Sequence, residues 1–170
     1  MKRVVSLILF VLLLFGGFAL LQAVDDDIVK HPTCKYCQMD RKAFNFSRML
    51  VVYDDGHEEG VCSLHCAALD MAINIDKAPV KILVADYNTK KLIDAERAYW
   101  VIGGSIKGVM TKRAKWAFEK KEDALAFIQR NGGKLGNFEE AIKAAYEDMY
   151  EDTKMIRERR KMKRMQKGGN

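Results

Sequence analysis

The apolar positions fall into short blocks whose spacing changes along the chain. Arg48-Met49-Leu50-Val51-Val52-Tyr53 has the β-branched and aromatic content of a strand. Asp54-Asp55-Gly56-His57 then supplies a hairpin turn, and Glu58 to Cys62 reads as the return strand. After Ser63, a cap residue, Leu64, Ala67, Ala68, Met71 and Ile75 recur at helical spacing. Val80 to Tyr87 reads as a further strand. This order of strand, strand, helix, strand then repeats. Ala98 to Ile102 and Lys115 to Phe118 read as strands. Glu122 to Asn131 reads as a helix with Ala124, Leu125, Phe127 and Ile128 inward, closed by Gly132-Gly133, and Lys134 to Gly136 as a last short strand. No residue identity supports the repeat; only the order of elements does.

The pattern predicts an α+β protein of two small ββαβ units, residues 31–95 and 96–136, packed together. A long helix over 137–164 follows. Asn137 and Glu140 make a capping box, and Phe138, Ile142, Ala145, Met149 and Ile156 form one apolar stripe. Past Ile156 the sequence is basic and reads as a frayed, solvated tail, with attraction to anionic lipid as its functional reading.

The N-terminus has another character. Met1-Lys2-Arg3 is cationic, and Val4 to Leu21 is apolar apart from Ser6 and glycines, with Ala23 beyond it. Residues 1–23 read as a signal peptide or an uncleaved membrane anchor. Either mode places residues 25–170 outside the cytoplasm, in the periplasm or on the outer face of the cytoplasmic membrane.

Charge adds little to this. The net charge of +6 comes from the two ends of the chain. The last 17 residues contribute +7 and the first three +2, so the body is slightly acidic. A basic balance of that origin does not describe a nucleic-acid-binding domain.

The candidate chemistry is sulfur. Cys34-x-x-Cys37 is separated by 24 residues from Cys62-x-x-x-Cys66. Four cysteines in an exported chain fit two disulfides, and two close pairs also fit the halves of a zinc-knuckle site. His65 can replace one cysteine. Cys66 falls in the first turn of a helix, where a thiolate is favoured. Cys37 and Met39 together offer a thiolate and a thioether, a soft pair that selects Cu(I) rather than zinc. Cys34 with Cys37 can also be a redox dithiol, although no helical stripe follows it. Phosphate-binding, serine-hydrolase and H-E-x-x-H motifs are absent from the sequence.

Cys34-Lys-Tyr-Cys37-Gln-Met39-Asp40, Ser47-Arg48-Met49 entering a strand, and Val61-Cys62-Ser63-Leu-His65-Cys66 resemble NosL-type proteins. So do Trp100-Val-Ile-Gly103-Gly104, Gly108-Val109-Met110 and Glu122-Asp-Ala124. The resemblance covers about residues 31–136. It implies two ββαβ units and an exported, non-enzymatic Cu(I)-binding accessory protein that delivers copper to nitrous oxide reductase or a similar copper enzyme. The family's C-G-M motif falls on Cys37-Gln38-Met39 and its G-x-M on Gly108-Val109-Met110, which implies Cys37, Met39 and Met110 as copper ligands. Cys34, Cys62, Cys66 and His65 remain for a second metal, Zn(II) included, or for disulfides. Gln38 stands where the family often has Gly, the lipid-attachment cysteine is missing, and the extra cysteines and the basic helix lie outside the family's core pattern. A thiol–disulfide oxidoreductase and a zinc-stabilised module are the alternatives.

Overall fold

The computed structural model describes residues 26–168; the signal or anchor segment lies outside the described residues. In chain order the elements are α1 (Asp26–Lys30), β1 (Met49–Tyr53), β2 (Glu58–Val61), α2 (Leu64–Ile73), β3 (Pro79–Ala85), β4 (Leu92–Asp94), β5 (Tyr99–Ile102), β6 (Lys115–Phe118), α3 (Lys121–Asn131), β7 (Lys134–Gly136) and α4 (Phe138–Gly168).

Two antiparallel sheets carry the repeat. Their strand orders are β2-β1-β3-β4 and β6-β5-β7. The central strand of each sheet pairs with the strand that follows it in a hairpin and with the strand that returns after the helix. The two units therefore share one topology, and β4 extends the first. The sheets are joined where Asp86 bridges Ala117 and the Tyr87 N–H bonds to the Ala117 carbonyl at 2.8 Å. Phe46, Tyr87, Trp116, Phe118 and Phe127 fill the seam with ring centroids 5.1 to 6.1 Å apart, at separations where aromatic rings attract.

Helical period decides which predicted positions face inward. Ala124 and Phe127 are buried, whereas Leu125 is exposed; it lies about 100° round the helix from Ala124. Ile75 is likewise exposed, because α2 ends at Ile73. Phe138, Ile142 and Ala145 bury one face of α4. Its start is the predicted box: Asn137 Oδ1 accepts the Glu140 N–H at 2.9 Å, and Glu140 Oε2 accepts the Asn137 N–H at 3.1 Å.

Two segments depart from the sequence reading. The basic tail is helical to Gly168. Arg, Lys, Met, Glu and Gln are good helix formers, and neither Gly nor Pro interrupts them before that point. Asp26–Lys30, read as a polar lead-in, is a short helix with Asp27 buried. The Asp27 carboxylate accepts hydrogen bonds from Arg41 Nη2 at 2.7 Å and Arg48 Nε at 2.9 Å. Among the described residues, no helix is long and apolar enough to cross a membrane.

Candidate metal centre

The segment between α1 and β1 has few ladder hydrogen bonds, so side chains tie it down. Arg41 is fully buried and donates to the carbonyls of Asp27, His31, Met49 and Val61. Gly60 permits this: a Cβ there would lie 2.4 Å from the His31 Cβ and 2.8 Å from Arg41 Nη1. Lys35 pairs with Glu59 on β2, and the hydroxyls of Tyr36 and Tyr53 both donate to Asp70 on α2. Burial first, and then Asp70, push both phenol pKa values up.

Within this segment the chain folds tightly around its sulfurs. The Cys34 N–H bonds to the Met39 carbonyl and the Gln38 N–H to the Cys34 carbonyl, each at 2.9 Å. Gln38 has φ 62°, the left-handed region that favours glycine. The family's glycine position thus keeps a glycine-like backbone here. The backbone of Cys37 helps to lower the Cys34 thiol, and that of Met39 helps to lower the Cys37 thiol.

The second pair comes from the β2–α2 junction. Ser63 holds the extended cap position of α2 without a side-chain cap bond; its carbonyl accepts the N–H groups of Cys66 and Ala67. The Cys62 sulfur lies 3.4 Å from that of Cys37 and 3.8 Å from that of Cys66, and all four sulfurs lie within 4.8 Å of one another. A tetrahedral ion with about 2.3 Å metal–sulfur bonds needs sulfurs about 3.8 Å apart. All four are free thiols. Cys34, Cys62 and Cys66 are buried, and Cys37 is half-buried.

These thiols do not titrate alike. Contacts with Cys37, Cys62 and Cys66 hold Cys34 below the ordinary thiol value. Cys37 is raised by Cys34 but lowered overall by Cys62 and Cys66. Cys62 and Cys66 are pushed up, first by Cys34 and Cys37. Cys34 and Cys37 are therefore the thiols of the set that ionise more readily, and a bound cation would favour the thiolate at all four.

His65 is not in the cluster. One residue before Cys66 on α2, it points about 100° away, towards α4. Its Nδ1 lies 3.5 Å from Asp152 Oδ2, and burial pushes the imidazole pKa down against the pull of Asp152. His31 and His57 pair with Glu58 and Glu59.

Outside the cluster lies a cavity of about 790 Å³. Cys37 and Met39 line it from the first unit, and Met110 from the β5–β6 loop. Met110 has φ 63°. Helix α4 clamps that loop: Arg113 pairs with Glu147 and Asp148, and the Lys112 N–H donates to Asp152 Oδ1 at 3.3 Å. Gly108 lines the cavity, but Gly104 packs against the carbonyls of Asn131 and Gly132 at the end of α3. The sequence reading missed Met155, which lines the cavity from α4 with Arg159, Arg160 and Lys163. The stripe did not point to it: Met155 lies about 100° round the helix from Ile156, and the packing of that helix brings both to the cavity.

The NosL family profile matches residues 25–146. No curated protein is significantly similar in sequence. The crystal structure of the copper chaperone NosL from Shewanella denitrificans has the same fold, with a TM-score of 0.54 at 24% identity over 70% of this chain and 92% of that one. Helix α4 continues beyond the family match. On a profile match that spans well over half its length, the chain belongs to the NosL family.

Proposed function

We propose that this protein is an extracytoplasmic Cu(I) chaperone. It carries copper on Cys37, Met39 and Met110 to nitrous oxide reductase or a similar copper enzyme, and it works as a carrier rather than a catalyst. The observation that carries the reading is the shared cavity: one thiol and two thioethers, from loops far apart in the chain, line the same space. Thiolate and thioether are soft donors suited to Cu(I).

The chain contributes more than donors. Phe44 and Phe46 form an apolar wall that limits water at the ion. Arg159, Arg160 and Lys163 make the mouth cationic, which opposes entry of free metal cations and favours exchange with a partner whose surface is acidic.

The test is Cu(I) affinity by competition with a chelator. Met110→Leu should lose at least tenfold, about 1.4 kcal/mol. Met149→Leu, which packs against the core, should change little. Equal affinities would remove Met110 from the site. A chain that binds no Cu(I) but turns over a disulfide substrate through Cys34 and Cys37 would replace the chaperone reading with the oxidoreductase.

A further inference from the structure

The cavity accounts for only one of the four clustered cysteines. Cys34, Cys62 and Cys66 are sealed from solvent and do not line it. Their sulfurs, with that of Cys37, surround one point at separations suited to a tetrahedral ion. We propose that Cys34, Cys37, Cys62 and Cys66 form a closed tetrathiolate site for a resident zinc ion, and that Cys37 is the one ligand this site shares with the cargo cavity. The first half stands whether or not the cavity carries copper. The second half rests on the chaperone reading.

Three features of the surroundings support a resident ion. The donors are all thiolates and no position is open to water, the arrangement of structural rather than catalytic zinc. The bonds from the Cys34 N–H to the Met39 carbonyl and from the Gln38 N–H to the Cys34 carbonyl fix the turn that carries Cys34 and Cys37, so these two donors are already positioned. Arg41 donates to the carbonyls of His31 and Val61, which places a buried guanidinium beside the chain segments that carry Cys34 and Cys62. Four thiolates around Zn²⁺ carry a charge of −2, and that neighbour complements it. On binding, the protons still held by the thiols leave to solvent, and four metal–sulfur bonds form without any change of oxidation state. The ion would pin the C-x-x-C segment, which few backbone ladders hold, to the start of α2.

Cys37 differs from its three partners. Its sulfur is 3.4 Å from Cys62 inside the cluster, and the residue also lines the cavity. A thiolate has lone pairs for two metals, so Cys37 can bind the inner ion and still meet Cu(I) from the other side. Sharing a sulfur with Zn²⁺ makes it a weaker donor to copper, which suits a carrier that must release its cargo.

Metal analysis of the full chain purified under reducing conditions should find one zinc per chain. Replacement with Co²⁺ should give the strong visible absorption of tetrahedral cobalt thiolate. Met110→Leu should leave that spectrum unchanged, and Cys66→Ser should weaken it. One equivalent of Cu(I) should then bind without release of zinc. A protein that holds neither zinc nor Co²⁺ with a thiolate spectrum, or that holds iron instead, overturns the resident zinc site. The wild-type spectrum decides this even if Cys66→Ser fails to fold. Stoichiometric zinc release by the first equivalent of Cu(I) overturns the shared Cys37. Absence of Cu(I) binding with the cobalt spectrum intact removes the chaperone reading and leaves the zinc site standing.

Discussion

The Lys112 N–H donates to Asp152 Oδ1, so a loop of the second unit is held by the final helix two residues from Met110. That contact binds the Met110 loop to the same helix that presents Met155 to the cavity. Arg113 strengthens the clamp through Asp148, Glu147 and the Ala144 carbonyl. The cavity is therefore walled by three separate parts of the chain, and the final helix both positions one wall and supplies another.

Met155 should act as an additional thioether donor. Met155→Leu keeps the volume and removes the sulfur, so Cu(I) affinity is expected to fall by severalfold, less than for Met110→Leu. Met162→Leu, at an exposed position on the same helix, should have no effect. Matched chelator competitions on the two variants check this. Equal affinities would leave Met155 as packing alone.

Gln38→Gly should stabilise the protein. Gln38 adopts a left-handed backbone that costs a non-glycine residue about 1 kcal/mol. Its side chain returns part of that through a 3.0 Å hydrogen bond to the Lys35 carbonyl. A net gain of about 0.5 kcal/mol is expected, read as a higher denaturant midpoint at unchanged slope. Gln38→Val, β-branched and strained at this φ, should lower the midpoint instead. A lower midpoint for the glycine variant would show that the Gln38 side chain outweighs the backbone strain.

Asp86 should give the protein an acid-sensitive seam. It is buried at the junction of the two sheets, where its carboxylate accepts the N–H groups of Thr89 at 2.7 Å and Glu119 at 3.0 Å. Burial pushes its pKa up, but these donors, with the Thr89 hydroxyl, bring it below the ordinary value overall. A carboxyl depressed in the folded state stabilises the fold above its unfolded pKa of about 3.9, and that stability is lost as pH falls through the lower folded value. Asp86→Asn is expected to cost about 2 kcal/mol near neutral pH and progressively less below about pH 4. Urea unfolding of both proteins across that range measures it. A cost independent of pH would assign the loss to packing.

Much of the architecture was legible because periodicity is local. The duplicated strand–strand–helix–strand order, the Asn137–Glu140 box and the glycines after α3 are short-range signals, and each appears where the pattern put it. Strand β4 was not legible. At Leu92–Asp94 it is three residues long and too short for a period to show. The burial of Asp27 was also invisible, because it depends on two arginines that arrive from beyond the C-x-x-C loop.

The candidate site divides in the same way. By itself the sequence determined the donors: which sulfurs exist, that Cys37 and Met39 sit two apart, and that Cys62 and Cys66 flank a helix start. The chemistry of a thiolate or thioether belongs to the residue and needs no fold to define it. Only the tertiary structure decided which donors meet. It gathered the four thiols within 4.8 Å, turned His65 away to Asp152, and put Met110 and Met155 on one cavity with Cys37. Those meetings depend on how two sheets and a long helix pack. Packing is set by buried area and side-chain fit across the whole molecule, and no stretch of residues read alone contains it.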